Sequence, residues 1–205
     1  MSKTSYCAEP LSRVAIRSYA WQVRRSYHLD KQRYFPIVEF MERMPDLYPG
    51  FSFSIETDDF FDPRTHAFTD IPKGIVFIRD SVYDAACQDE VLSRFTIAHE
   101  LGHFMLMRVF GKSIRLRPNG RILEAYEDPE WQASAFAGEL LIPAPLILHD
   151  SVSQIMEACK VSFAAAQTQH KACRSLRKES GTPNQALSQP GFIQHHRRMS
   201  KLNKH

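Results

Sequence analysis

The stretch His99-Glu100-Leu101-Gly102-His103 lies between Phe95-Thr96-Ile97-Ala98 and Phe104-Met105-Leu106-Met107. Its apolar flanks predict a long helix over 89–110, ended by Gly111. On a helix, residues i and i+4 stand one turn apart on the same face. Two imidazoles at that spacing can both reach one zinc ion at about 2.0–2.1 Å. Glu100 lies about 100° around the helix from His99. It can border the metal without ligating it, placed to take a proton from water whose pKa the metal lowers toward ~7. Burying two His and one Glu among apolar residues is costly unless a metal or other partners satisfy them.

Two histidines leave tetrahedral zinc short of a third protein ligand and an open position. Downstream, Glu124, Glu127, Asp128, Glu130 and Glu139 are the candidates. Asp128-Pro129 begins the next helix, with Asp as N-cap and Pro at the first helical position, and Pro143 and Pro145 stop it after Ile142. Glu130 falls in the first turn of that helix and is favoured. Small Ala133 and Ala137 on the same helix allow close packing on the metal helix.

Working outward, 11–28 reads as a basic amphipathic helix, with Ile16, Tyr19, Ala20 and Val23 in a stripe and Arg13, Arg17 and Arg24 off it. Pro36 opens a second helix with Ile37, Phe40, Met41 and Met44 on one face, ended by Pro45 and then Pro49-Gly50. Alternation over 51–56 predicts a half-buried strand, and 58–69 reads as a loop. Residues 74–78 (GIVFI) form a strand, either a sheet edge open to a substrate strand or a central core strand. Asp80-Ser81 caps a short helix through Cys87. A hairpin is expected over 114–123 around Pro118-Asn119-Gly120. Two further helices are expected at 153–159 and 162–178.

The 205 residues are 43% hydrophobic and 24% charged, an ordinary globular composition that excludes a mostly disordered chain. No run approaches the ~20 apolar residues of a membrane span, and the N-terminus has no secretory pattern, so a cytoplasmic protein is expected. Cys7, Cys87, Cys159 and Cys173 form no C-x-x-C pair and are expected as reduced thiols, the last two in the core. From Lys171 onward eight basic residues face one acid, Glu179. This basic tail is a candidate contact for nucleic acid or an acidic partner.

The segments R-F-T-I-A-H-E-L-G-H-F (94–104) and E-W-Q-A-S-A-F-A-G-E-L-L-I-P (130–143) together resemble the ImmA/IrrE family of metallo-endopeptidases. I-V-F-I-R-D-S-V-Y (75–83) is similar to the family as well, and Y-F-P-I-V-E-F-M-E (34–42) more loosely. The resemblance covers roughly residues 10–150. It implies an α+β, zincin-like fold: a small, mostly antiparallel sheet packed against the metal helix and several surrounding helices. It implies one Zn2+ per chain on His99, His103 and Glu130, with Glu100 as general base. The chemistry of an N/O site also admits other divalent metals. This chain departs from the family in having Ser134 where Asn is usual, a helix-packing or ligand-supporting position.

The expected organisation is a metallopeptidase domain over 1–150, a helical extension over 151–180 faintly like a helix-turn-helix pair, and a basic tail over 181–205. The expected function is site-specific cleavage of a protein substrate, by resemblance a helix-turn-helix repressor or similar regulator. The alternative is a non-catalytic module with a structural or vestigial zinc site that contacts a repressor or DNA. A peptidase also needs an oxyanion donor besides the metal. Tyr126, His66, His149 and His170 qualify by residue type.

Overall fold

The computed structural model describes residues 6–117, 121–173 and 176. The turn expected at Pro118-Asn119-Gly120 and the tail 181–205 lie outside them. A short strand β1 (Tyr6–Ala8) leads into helix α1 (Arg13–Ser26), capped by Ser12, whose hydroxyl accepts from Ala15 N. The expected stripe turns inward, burying Ile16, Ala20 and Val23, while Tyr19 stacks on Phe110 with ring centroids 4.3 Å apart. The arginines off the stripe also point into the protein. Arg24 is fully buried over the Phe35 ring and donates to the carbonyls of Leu140, Gln32 and Arg33.

Helix α2 (Ile37–Leu47) buries the four residues its periodicity predicts, Ile37, Phe40, Met41 and Met44. It runs through Pro45 rather than stopping there. A proline in the last turn forfeits one bond to the carbonyl four residues back, and the chain continues for two residues to Leu47. Next come strands β2 (Ser52–Glu56), β3 (Ala67–Asp70) and β4 (Ile75–Arg79), in spatial order β2-β4-β3. β2 runs parallel to β4, with Phe53 opposite Val76. β3 is antiparallel to β4, with Thr69 opposite the same Val76. Two readings are corrected here. The span 58–69 is not all loop, because it holds a single 3-10 turn at Asp58–Phe60 and then enters β3. Of the two roles open to 74–78, the central one holds: β4 is paired on both sides, and the sheet edges are β2 and β3.

Helix α3 (Asp80–Cys87) follows directly, but Asp80 is its first residue rather than its cap: Arg79 occupies the cap position with no side-chain cap hydrogen bond, and Asp80 accepts only from the adjacent Ser81 N. Helix α4 (Val91–Phe104) carries the H-E-x-x-H motif. Its cap is Glu90, whose carboxylate accepts from Leu92 N and Ser93 N. Arg94 anchors its start. The guanidinium is buried, pairs with Asp89 at 3.0 Å, and donates to the Tyr34 hydroxyl and the Phe35 carbonyl. The helical path continues to Val109 as expected, but residues 105–109 widen into a π-helical turn, with Phe110 N bonded to Met105 O. Strand β5 (Ile114–Leu116) pairs with β1, Cys7 opposite Arg115, and not with 121–123 as a local hairpin would require.

Helix α5 (Pro129–Leu141) has the expected start, Asp128 accepting from Glu130 N and Pro129 at the first position. Helix α6 (Val152–Cys159) begins with a Ser151/Gln154 capping box. Helix α7 (Phe163–Ala172) is capped by Ser162. Ile155, Cys159, Ala166 and Cys173 from this pair join the same core as α1, α4 and α5. The cysteines form no disulfide among the described residues. No helix of the described residues is long and apolar enough to cross a membrane.

The layers place α4 at the centre. β3 and β4 lie against one side and α5 against the other, and α5 is backed by α1. Gly102 sets the α4–α5 spacing. A Cβ there would stand 2.9 Å from the Ala133 carbonyl oxygen and 3.2 Å from its Cα. Both are backbone atoms that cannot swing away. Gly102→Ala gains about 1 kcal/mol of helix propensity but meets an overpacking cost near about 3 kcal/mol. The expected result in urea denaturation of the metal-free protein is a net loss of about 2 kcal/mol.

Candidate metal centre

His99 and His103 emerge on one face of α4, and Glu130 reaches them from the first turn of α5. The two Nε2 atoms lie 3.2 Å apart. Glu130 Oε2 lies 3.2 Å from His99 Nε2, and Glu130 Oε1 lies 3.5 Å from His103 Nε2. Two donors on a tetrahedral metal, each at about 2.0–2.1 Å, stand about 3.3 Å apart. The three contacts therefore have the edge lengths of a tetrahedral ligand set. Two imidazole nitrogens facing each other at this distance also need a cation or proton between them, because two lone pairs repel.

Electrostatics point the same way. Hydrogen bonds from His103 and His99 hold the Glu130 carboxyl well below the usual carboxylate range. Burial alone would lower the His103 imidazole, but the hydrogen bond it donates to Glu130 and the nearby carboxylates of Glu100, Glu130 and Asp128 raise it. The site concentrates carboxylates around two imidazole nitrogens, which favours a divalent cation.

Glu100 is buried and stays out of the triad. The Thr69 hydroxyl donates to its Oε2 at 2.7 Å and lies 3.0 Å from its main-chain carbonyl. Thr69 belongs to the edge strand β3, so the sheet fixes the position of this carboxylate. Sequence reasoning missed Thr69, because 58–69 read as loop. The signal available was the β-favouring pair Phe68-Thr69 before the turn that ends at Gly74. Ser134 Oγ lies 3.1 Å from His99 Nδ1, which makes it the partner that orients this ring. The Nδ1 of His103 is buried without a hydrogen-bond partner among the described residues.

Each rival for the third ligand has other work. Glu124 and Glu127 form a capping box around the turn Ala125–Glu127, and Glu127 pairs with Arg121. Asp128 caps α5. Glu139 is buried between Arg13 and Arg17. Of the residues considered as oxyanion donors, His66 is exposed just before β3. The Tyr126 side chain is half exposed, while its carbonyl accepts from Leu11 N and Gln132 Nε2. His149 and His170 line a separate hollow with Ser151 and Gln154.

An α+β core with two histidines one helical turn apart, a carboxylate brought in from the next helix and a second carboxylate held beside them defines a zincin-like protein. Comparison with known families agrees: the model of the IrrE N-terminal-like domain, peptidase family M78, matches residues 63–169. The chain belongs to this family of ImmA/IrrE-type peptidases. A search of curated proteins finds no match.

Proposed function

We propose that this protein is a zinc-dependent endopeptidase that cleaves a protein substrate, with a helix-turn-helix repressor or similar regulator as the target class. His99, His103 and Glu130 hold the metal, and Glu100 is the general base. The observation that supports this reading best is the pairing of a tetrahedral donor triad with a non-ligating carboxylate fixed by Thr69. A purely structural metal site has no need of that carboxylate.

A divalent ion held by His99, His103 and Glu130 would supply Lewis acidity, lowering the pKa of water toward ~7 and polarising a carbonyl oxygen. Glu100 moves the proton. Oε2 is occupied by the Thr69 hydroxyl, which leaves Oε1 to take the proton of the attacking water and pass it to the departing amine nitrogen. The edge strand β3 lies beside the base and offers its unpaired backbone to an extended substrate segment. Ser134 keeps the His99 ring in the orientation that aims Nε2 at the metal.

Two measurements test the metal site. Elemental mass spectrometry of the purified protein is expected to find about one zinc per chain, and none in His103→Ala. Metal held equally by both proteins sinks the assignment. The affinity should also fall with pH. The raised pKa of His103 means that the metal-free site keeps its proton above the ordinary histidine value. Zinc must displace that proton, so binding weakens as pH drops into and below this range and strengthens as pH rises through it. Glu130 stays ionised across the same range and adds no such dependence. Ser134→Ala is expected to weaken zinc binding about 10–100-fold in chelator competition, and Ser134→Asn to retain most of it. Equal affinity in Ser134→Ala removes Ser134 from the site.

A further inference from the structure

Next to the metal triad a cleft of about 340 Å³ opens between α4, α5 and α7. Its walls are Leu92 and Phe95 from α4, Trp131, Ser134 and Ala135 from α5, and Ala165 from α7. We infer that this cleft is the specificity pocket of the peptidase, taking a large uncharged apolar side chain of the substrate, aromatic or leucine-like, one or two residues from the scissile bond. The inference rests on the metallopeptidase reading above.

Continuity with the site comes first. Ser134 lines the cleft and touches His99 Nδ1, so the pocket and the metal centre share a wall. Trp131 follows the ligand Glu130 directly. Phe95 stands one turn before His99 on the same face of α4, about 6 Å along the axis. An extended peptide advances about 3.3 Å per residue, so a side chain entering here belongs to a residue close to the bond cleaved.

The lining decides the chemistry. Leucine, phenylalanine and tryptophan form the sides, and Leu92 is 64% exposed at the rim, an apolar side chain left in water. Ala135 and Ala165 leave the space that larger residues would fill. Of its polar lining groups, Arg13 and Gln169 are already committed to Glu139, Ser134 to His99 and Ser162 to Ala165 N, and Thr168 lies exposed. Arg13 Nε donates to Glu139 at 3.0 Å, its second nitrogen donates to Gln169 Oε1 at 2.6 Å, and Gln169 Nε2 donates to Glu139 at 2.8 Å. The one guanidinium that an acidic side chain would meet in the cleft, that of Arg13, already pairs with Glu139. A basic one would meet no carboxylate among the cleft-lining residues. Burial of carbon is what remains to select the occupant.

The test uses amino-acid hydroxamates, whose chelating group binds the metal whatever side chain they carry. The chain has two tryptophans, so Trp21→Phe leaves Trp131 as the fluorescent reporter inside the pocket. Zinc content is measured first, and then the zinc-loaded protein is titrated with phenylalanine, leucine and glycine hydroxamates. The phenylalanine and leucine compounds are expected to bind at least about tenfold tighter than the glycine compound and to change Trp131 emission. Ala165→Phe fills the pocket from α7, and Thr168→Phe fills it from a more exposed position. Both are expected to cut that advantage below about twofold while leaving glycine hydroxamate affinity unchanged. Equal affinity for all three compounds on zinc-loaded protein overturns the pocket and leaves the metal site standing. An advantage that survives both filling variants also overturns it. Protein that binds no zinc overturns the metallopeptidase reading, and the pocket with it, before any compound is added.

Discussion

Glu100→Gln is expected to retain its zinc and to lose peptide-bond cleavage by about 10²–10⁴-fold, the usual contribution of a general base. The amide keeps the shape of the carboxylate and can still accept the Thr69 hydroxyl through its oxygen. It cannot take a proton from water. Glu100 is not one of the three converging donors, so metal affinity should change little. Zinc content and cleavage must be measured on the same preparation, with the helix-turn-helix repressor class as the first substrates to try. Cleavage at wild-type rate by the zinc-loaded variant would remove Glu100 from the mechanism. Loss of both zinc and cleavage would instead make it a ligand-supporting residue.

The second large effect is on stability and involves no metal. Glu139 is fully buried in its side chain and accepts four hydrogen bonds: from Arg13 Nε at 3.0 Å, from two nitrogens of Arg17 at 2.9 and 3.1 Å, and from Gln169 Nε2 at 2.8 Å. It joins α1 and α7 to α5. Removing one partner of a buried ion pair strands the others, at a cost of about 3–5 kcal/mol. Arg13 and Arg17 keep some access to water, which places Glu139→Ala at the lower end, about 3 kcal/mol. For a chain of this size that corresponds to a fall in melting temperature of roughly 6–12 °C. Thermal and urea unfolding of the metal-free protein measure it. A loss under about 1 kcal/mol would show that the network behaves as a surface ion pair. Arg17→Ala should recover part of the loss when combined with Glu139→Ala, because the stranded charge is then gone.

Much of the local structure was legible because it depends on neighbours in sequence. The stripe of α1, the cap and proline that start α5 and the inward face of α2 all follow from side chains within one or two turns of each other. The pairing of β1 with β5 was not legible, because its partners are more than 100 residues apart and three-residue strands carry almost no pattern. β3 was missed for a related reason. Its four residues, two apolar and then two polar, carry no alternation to register, and only pairing with β4 makes them a strand. With it went Thr69, whose role exists only once the sheet lies against α4.

The metal site divides along the same line. Helical spacing by itself puts His99 and His103 on one face and leaves Glu100 beside them, because that geometry repeats every turn whatever surrounds it. The choice among the five downstream acids is different. Glu130 and Glu139 are nine residues apart, about 180° around α5, so only one of them can face α4. Small Ala133 and Ala137 on its own side favour Glu130, but packing decides it. The contact of Ala133 with the bare backbone at Gly102 turns Glu130 toward the histidines, and the arginines of α1, 122 and 126 residues away in sequence, hold Glu139 on the far side. Spacing along a helix settled which histidines act together. The packing of one helix on two others settled which carboxylate joins them, since opposite faces of a helix are distinguished only by what is packed against each.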